Sequence, residues 1–272
     1  MNGKIIKIVS NLYTVKGDRL YDCMARGKFR NLNIKPLVGD NCLFDEQKKW
    51  LIEIYPRKNE LHRPLIANVD QALVVASVKD PDLDLVLLDK LLCVIEFNNI
   101  QPIICFTKVD LLKCDKNILE IQDYYKKIGY QVFDSRNLDD LKTIFKDKVT
   151  VFAGQSGVGK STLLNMLNSE LNLKTGEISK ALGRGKHTTR HVELFELYDG
   201  LTADTPGFSS LDFKDMTNSD IRDNMVEFNE YRESCTYKDC MHANEPDCAI
   251  RDNKDILTNR YENYLKFIDA QK

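Results

Sequence analysis

The sequence predicts three domains: a small N-terminal β-barrel, a central α/β domain with a parallel sheet, and a C-terminal helical domain. Residues 3–55 contain five short apolar runs of period two. From residue 70 strand-like and helix-like segments alternate, and after residue 217 the chain turns polar and helical around a Cys/His cluster. We therefore place the domain boundaries at 1–66, 67–212 and 213–272.

Composition excludes several classes of protein. The chain has 272 residues, 43% hydrophobic and 29% charged, without low-complexity runs, which is typical of a globular protein and not of a fibre. The longest apolar stretch, Leu83 to Phe97, is interrupted by charges, so we expect no membrane span. The first residues alternate Lys with Ile and do not resemble a signal peptide, so we expect a cytoplasmic protein.

The N-terminal segment is predicted to form an OB-like barrel. Its apolar runs are KIIKIV, LYTVK, LYDCMAR, NCLFDE and WLIEIY, and turn-prone segments separate them. Residues 1–66 carry 13 Lys and Arg against 7 Asp and Glu, although the whole chain has a net charge of −2. This excess indicates either a patch for RNA phosphates or a solvated strand face. The stretch 55–64, YPRKNELHRP, is predicted to be a connector.

The central segment predicts a parallel sheet covered by helices. Helices are expected over 83–98, 117–128 and 138–145 and from Lys160, each after an apolar strand. Asp199-Gly200 is a hairpin signal between the strands HVELFELY and GLTADTPG. Residues 171–190 have no clear period and several glycines, which indicates a mobile loop.

A phosphate-binding loop is the strongest motif. The residues GQSGVGKS at 154–161 match G-x-x-x-x-G-K-[ST], after the strand VTVFA and before the helix pattern STLLNML. Backbone amides of such a loop surround phosphate oxygens, and the helix N-terminus adds partial positive charge. Lys160 would reach the outer phosphates and Ser161 would ligate Mg²⁺. The predicted nucleotide-binding residues here are Gly154, Gln155, Ser156, Gly157, Val158, Gly159, Lys160, Ser161 and Thr162.

Two later segments are expected to complete the phosphate site. Asp204-Thr205-Pro206-Gly207 follows a strand, so Asp204 would help position Mg²⁺ and the Gly207 amide would contact the terminal phosphate. Between it and the phosphate loop lies Lys186-His187-Thr188-Thr189, where one threonine hydroxyl would close the Mg²⁺ shell. The choice between Thr188 and Thr189 stays open.

The segment Thr107-Lys108-Val109-Asp110 predicts selection of guanine. The Asp110 carboxylate can accept hydrogen bonds from guanine N1 and N2, a donor pair that adenine lacks, and the Lys108 stem can cover the base. Thr107, Lys108 and Asp110 are therefore predicted to bind GTP or GDP. Residues 133–136 either contact the base or form an ordinary loop.

A C-terminal cluster predicts one structural zinc site. Its pattern is C-x4-C-x-H-x5-C, which supplies a closed tetrahedral shell from Cys235, Cys240, His242 and Cys248. A disulfide with a free thiol, or unrelated surface cysteines, are the alternatives. The five other cysteines are interpreted as reduced core thiols.

The order of these motifs is unusual, because the guanine motif precedes the phosphate loop. In that order the chain resembles the circularly permuted GTPases, and among them the RsgA (YjeQ/YloQ) family of ribosome-biogenesis GTPases. The similarity extends nearly end to end. It is carried by the residues 68–71, 107–110, 154–161, 183–189 and 204–208 and by the Cys/His cluster.

The resemblance implies a monomeric GTPase that binds the small ribosomal subunit and its rRNA late in assembly and hydrolyses GTP when stimulated by that particle. Mg²⁺ would be bound at Ser161, and Lys160 would neutralise developing charge. Phe208 stands where many small GTPases have a glutamine that orients water. His187 is the candidate for that role, or else contacts phosphate or RNA, and Thr189 is the catalytic candidate of the two threonines.

Two other functions remain open at this point. One is a P-loop ATPase or kinase, for which Asp110 would be incidental. The other is a nucleotide-gated RNA-binding assembly module with little turnover.

Overall fold

A computed structural model describes residues 1–27, 29, 34–62, 64–112, 116–168, 192–203 and 212–271. The chain divides into two units. The first contains Met1–Leu73, Asn137–Ala153 and the described part of Gly159–Phe208. The second contains Val74–Arg136, Gly154–Val158 and the described part of Ser209–Lys272. The predicted three-domain boundaries are a different division, and they stay a prediction.

Five strands of the first unit form a closed barrel, as the apolar runs predicted. Their order is β1-β2-β3-β5-β4. Inward-facing residues alternate with outward-facing ones, and Val15, Cys23 and Phe44 are among those buried in the barrel core. The strands are β1 (Asn2–Val9), β2 (Leu12–Lys16), β3 (Leu20–Ala25), β4 (Asn41–Asp45) and β5 (Trp50–Ile54).

The predicted connector is more ordered than expected. Strands β6 (Glu60–His62) and β7 (Leu65–Ala67) pair antiparallel. Just before β6, the Asn59 amide binds Val69 twice, donating to its carbonyl at 2.8 Å and accepting from its N–H at 2.9 Å. A side chain thus supplies main-chain-like hydrogen bonds, which the composition of the segment did not indicate.

Strand β8 (Gln71–Ser77) begins in the first unit and ends in the second, and all its residues are buried. In the first unit the strand order continues as β8-β11-β13-β12. Strands β11 and β13 are parallel, whereas β12 and β13 are antiparallel. These elements are β11 (Val149–Ala153), β12 (Leu194–Leu197) and β13 (Gly200–Ala203).

The β12–β13 turn lies one residue earlier than the Asp199-Gly200 signal indicated. Leu197 pairs with Gly200, so the turn residues are Tyr198 and Asp199, with φ of 48° and 59°. Gly200 is instead required by a close approach, because a Cβ there would lie 1.9 Å from the Phe145 carbonyl oxygen.

In the second unit the strand order is β10-β9-β8, with β9 (Gln101–Thr107) parallel to β10 (Gln131–Asp134). Helix α1 (Leu85–Phe97) is capped by Asp84, whose carboxylate accepts from the Leu87 N–H at 2.9 Å. Helix α2 is Lys116–Lys127. The first unit contributes α3 (Leu138–Lys142) and α4 (Lys160–Leu167).

The C-terminal segment is helical, as predicted. It contains α5 (Asn218–Asp223), α6 (Phe228–Tyr231) and α7 (Thr258–Asp269). Thr217 and Asp220 form a capping box at the start of α5. A buried cluster that includes Met225, Phe228 and Tyr264 joins these helices to α1. Within the described ranges, every helix is too short or too polar to cross a lipid bilayer.

Candidate functional site

The phosphate-loop residues of the second unit approach β8 closely. Gly154 has a φ of +128°, and a Cβ there would lie 2.2 Å from the Val75 carbonyl oxygen. Only glycine fits this conformation at this distance. Val158 is buried, whereas Gln155, Ser156 and Gly157 are exposed. The loop is therefore anchored at both ends of this stretch and exposed between them.

The guanine motif hydrogen-bonds to this loop within the same unit. The Thr107 hydroxyl, which is buried, donates to the Val158 carbonyl at 2.6 Å. The Lys108 ammonium donates to the Gly157 carbonyl at 2.9 Å and also to the Asp80 carbonyl. Two motifs that are about 50 residues apart in sequence are thus brought into contact.

Asp110 is exposed at the end of β9, in a short 3-10 turn over Val109–Leu111. The neighbouring strand ends in the segment 133–136, where the Ser135 N–H donates to the Phe106 carbonyl at 2.9 Å. The Arg136 guanidinium binds the Asp134 carboxylate at 2.6 Å. Because Asp110 lies in an exposed turn, its carboxylate is accessible to a ligand.

The first unit contains the rest of the phosphate motif. Gly159 caps helix α4 with a left-handed φ of 97°, and its carbonyl accepts from the Leu163 N–H at 2.8 Å. Lys160 begins the helix, Ser161 is buried in its first turn, and Thr162 is exposed. The dipole of helix α4 makes this end suitable for an anion.

Several predicted site residues lie outside the described residues. They are the Mg²⁺ and phosphate candidates Asp204 and Gly207 and the loop residues His187, Thr188 and Thr189. Their roles remain predictions.

Cys235, Cys240, His242 and Cys248 form one cluster in the second unit. One ligand atom from each lies within 4.8 Å of all the others. The His242 Nδ1 atom lies 3.6 Å from the Cys235 sulfur and 3.5 Å from the Cys248 sulfur. Tetrahedral zinc with ordinary bond lengths requires an N···S separation of about 3.6 Å. The donor set and its spacing therefore fit zinc.

Neighbouring groups hold the cluster in this arrangement. The Glu245 carboxylate accepts from the backbone N–H groups of Met241 and Ala243 at 2.8 and 3.0 Å. The Arg251 N–H donates to the Cys248 sulfur at 3.4 Å, and the Tyr261 hydroxyl donates to the His242 carbonyl at 2.7 Å. Such contacts fix ligand orientation before a metal binds.

Burial sets the protonation of the cluster without metal. It lowers the pKa of His242 to about 4, so the imidazole is neutral at pH 7, as a metal ligand must be. Burial also raises the pKa of the Cys240 thiol to about 12. A thiolate there needs a cation beside it, which a divalent metal supplies.

The sequence did not indicate two of the groups that position the phosphate loop. The Asp80 carbonyl accepts from Lys108, and the Pro81 ring lies 3.8 Å from the Cβ position of Gly157. A backbone carbonyl leaves no side-chain signal in a sequence, so only the fold can reveal this contact. Ser77 donates to the Pro81 carbonyl at 2.5 Å, which fixes the same turn.

Comparisons with known proteins agree with this arrangement. A family profile described as RsgA GTPase matches residues 54–214, and one described as RsgA N-terminal domain matches residues 2–50. The small ribosomal subunit biogenesis GTPase RsgA 2 of Oceanobacillus iheyensis is 49% identical, over 98% of this chain and 96% of that protein. The small ribosomal subunit biogenesis GTPase RsgA of Bacillus subtilis is 45% identical, over 99% and 97%.

Solved structures give the same result. The crystal structure of YloQ, described as a circularly permuted GTPase, has a TM-score of 0.85 and 38% identity, covering 100% of this chain and 96% of that one. YjeQ from Thermotoga maritima has a TM-score of 0.85 and 31% identity, covering 99% and 97%. Similarity of this extent, together with the contact between guanine motif and phosphate loop, shows that the chain belongs to the RsgA GTPase family.

Proposed function

We propose that this GTPase binds the small ribosomal subunit and hydrolyses GTP there, late in the maturation of that particle. The observation that carries the nucleotide part is the pair of hydrogen bonds from Thr107 and Lys108 to the phosphate-loop carbonyls of Val158 and Gly157. Asp110, the carboxylate proposed to select guanine, follows Lys108 by two residues in the chain.

Each residue of the site has a chemical role in this proposal. Asp110 accepts the guanine N1 and N2 hydrogens, and the amides of 154–160 bind phosphate oxygens. Lys160 neutralises charge on the outer phosphates, while Ser161 and Asp204 would hold Mg²⁺. Mg²⁺ held there would offset negative charge on the phosphates. Ser161, in the first turn of helix α4, supplies the hydroxyl oxygen that such an ion needs.

Hydrolysis would proceed by in-line attack of water on the terminal phosphate, with no covalent intermediate. Phe208 cannot orient that water, so His187 is proposed to do so through a ring nitrogen, with Thr189 on the metal side. The Gly207 amide would contact the terminal phosphate. Because no glutamine serves this purpose, we expect slow turnover without the ribosomal particle.

Zinc is proposed to occupy the Cys235, Cys240, His242 and Cys248 cluster in a structural role. Four protein ligands leave no open position, so the ion would hold the C-terminal helices together and take no part in hydrolysis.

The partner is proposed from the printed names of the relatives, which are small ribosomal subunit biogenesis GTPases. The excess of 13 basic over 7 acidic residues in 1–66 favours rRNA contact through the barrel. Acting on that particle would place the chain in the cytoplasm, and we propose that it does so as a monomer.

Single-turnover hydrolysis tests the proposal. GTP hydrolysis is measured alone, with small subunits and with large subunits, at one stated salt concentration. We expect strong stimulation by small subunits only, and we expect GTP, but not ATP, to displace bound GDP. Equal displacement by ATP would contradict guanine selection, and equal rates with and without small subunits would contradict the proposed partner.

A further inference from the structure

A recess of about 460 Å³ lies in the first unit. Its described lining contains none of the residues predicted to bind nucleotide, and its volume is in the range of small-molecule sites. Val149, at the start of β11, lines the recess, whereas the phosphate motif follows Ala153 at the other end of that strand, after about 13 Å of extended chain. We call this cavity the lysine recess, after the lysines that line it: Lys4, Lys16, Lys58 and Lys148.

Two of these lysines face each other on adjacent strands. Lys4 on β1 pairs with Lys16 on β2 in the register of the barrel, and like charges at paired positions repel. Lys16 binds the Glu196 carboxylate at 2.5 Å, but the Glu196 side chain is 71% exposed, so water screens this attraction. The fold therefore holds cations together at a cost that the neighbouring carboxylate offsets only in part.

One half-buried carboxylate serves two of the cations. Asp70 binds the Lys58 ammonium and accepts from the Val149 N–H at 2.7 Å. Asp70 also attracts Lys4, whereas Lys58 repels it. Among the described residues, the Lys4 ammonium makes one hydrogen bond, to the Gly39 carbonyl at 3.2 Å. Positive charge is thus in excess in the half-buried part of the recess.

Burial makes this excess charge costly. It lowers the pKa of Lys4, because a half-buried ammonium loses hydration, and the charge of Lys58 acts in the same direction. Asp70 and Asp40 oppose this shift without cancelling it. Asp40 is itself bound by the Arg57 guanidinium at 2.7 Å. An anion in the recess would supply the attraction that water no longer gives.

Two further carboxylates restrict the size of such an anion. Asp147 and Asp199 line the recess and are exposed, and the Asp147 N–H donates to the Asp199 carbonyl at 3.1 Å. Their charge disfavours a nucleic acid strand, whose many phosphates cannot all avoid them. It favours a ligand small enough to contact the lysines alone.

We propose that the lysine recess binds the phosphate group of a small molecule, with the ammonium groups of Lys4 and Lys58 on its oxygens and Lys148 as a third cation. Each lysine ammonium offers three donors and binds phosphate as a point charge. The ligand would offset the repulsion between Lys4 and Lys16 and join strand β1 to the start of β11 within the first unit. Inorganic phosphate and a phosphate ester share this chemistry.

Calorimetric titration of the full chain tests the site, with GDP and Mg²⁺ at saturation so that the nucleotide site is already occupied. Inorganic phosphate and glycerol 3-phosphate are titrated separately at constant ionic strength, with sodium chloride as the blank. We expect saturable binding of at least one of them. Tighter binding of the ester would identify a phosphorylated metabolite as the source, and equal or tighter binding of inorganic phosphate would identify the free ion. Lack of saturable binding by both would overturn the proposal.

Matched variants locate the binding. Lys4→Met or Lys58→Met removes one of the two cations that share Asp70, so we expect roughly tenfold weaker binding. Lys146→Met removes an exposed lysine that does not line the recess, and should bind as the unaltered chain does. The side chain of Lys58 is 46% exposed, so its variant keeps the test available if Lys4→Met fails to fold. Equal affinities of the Lys58→Met and Lys146→Met variants would overturn the proposal, because the anion would then bind elsewhere.

Asp70→Asn should have the opposite effect. It keeps an oxygen that can accept from the Val149 N–H and removes the negative charge that competes with the ligand for Lys4 and Lys58. We expect about tenfold tighter binding of the same anion. A general loss of structure could only weaken binding, so unchanged or weaker binding in a folded Asp70→Asn chain would overturn the charge balance from which the site is inferred.

Discussion

At the scale of single residues, one hydroxyl group, that of Thr107, joins the guanine motif to the phosphate loop. Its hydroxyl has one hydrogen, and that hydrogen is donated to the Val158 carbonyl at 2.6 Å. The bond lies in a buried position, where a carbonyl that loses its donor is not compensated by water. The phosphate loop therefore depends on a side chain from the guanine motif.

Replacing Thr107 by valine keeps its shape and removes this donor. We expect Thr107→Val to weaken GDP binding about tenfold, because the Val158 carbonyl would be left without the hydroxyl. Thr107→Ser keeps the hydroxyl and is the control. Calorimetric titration with GDP measures both, and equal affinities would show that the bond does not order the loop.

Asp110 is expected to determine base selection. Asp110→Asn should lower GDP affinity roughly a hundredfold, because two charge-assisted hydrogen bonds are lost, and should improve binding of xanthosine diphosphate, whose C2 carbonyl can accept from the amide. Competition with a fluorescent nucleotide measures both. Asp123→Asn, an exposed carboxylate on α2, serves as the control. An unchanged preference for GDP would refute the assignment.

At the scale of elements, a buried ionic network joins helix α7 to α1. Arg260 is fully buried and binds Asp89 on α1 at 2.6 Å and Glu227 before α6 at 2.6 Å. Asp89 also accepts from the Tyr125 hydroxyl at 2.5 Å and the Asn263 amide at 2.7 Å. Burial raises the pKa of Asp89, and the Arg260 guanidinium opposes this effect. The C-terminal helices are thus held to α1 by charge as well as by apolar contact.

Removing the cation from this network should be costly. Arg260→Met leaves two carboxylates buried, so we expect the free energy of unfolding to fall by about 3–5 kcal/mol. Arg232→Met breaks a pair whose side chains are 37% and 43% exposed, Arg232 with Asp223, and should cost about 1 kcal/mol or less. Urea denaturation compares the two. Similar losses would mean that burial does not set the cost of breaking these pairs.

Elements with a strong period were predictable, and those that depend on single contacts were not. The helix expected over 83–98 is observed at Leu85–Phe97, because its apolar stripe and the Asp84 cap define it locally. The hairpin turn was predicted one residue too late. Its residues are Tyr198 and Asp199, and Gly200 is required by its close approach to the Phe145 carbonyl and not by the turn. Strands β6 and β7 were missed, since each has only three residues, too few to show a period.

The same distinction applies to the site. The phosphate loop and the Cys/His cluster could be predicted, because the residues of each lie close together in the sequence at a characteristic spacing. The Lys108 contact with Asp80 and the partners of Arg260 depend on distant residues meeting in the fold.

At the scale of the whole molecule, stability is expected to depend on the metal. The segment around Cys235–Cys248 has little regular structure, and a metal that binds only the folded form stabilises it by mass action. Chelation should therefore lower helical circular dichroism and increase hydrogen exchange in 213–271, while the barrel strands keep their protection. Metal analysis should find one zinc per chain, and Cys235→Ser should lose it.

Helical content and exchange rates that do not change on complete zinc removal would contradict this dependence. The barrel is the internal control, because its core cysteines, Cys23 and Cys42, lie in a separate unit from the cluster.

The cluster also has a consequence for work at the bench. Three thiols and an imidazole lie within 4.8 Å of one another, so a preparation stripped of its cation leaves sulfur atoms close enough to be oxidised to disulfides. Such a chain could not bind zinc again until the disulfides were reduced. Purification buffers free of chelator and supplied with a non-coordinating reductant should preserve the zinc site, whereas storage in air with EDTA should leave a chain that binds zinc only after reduction.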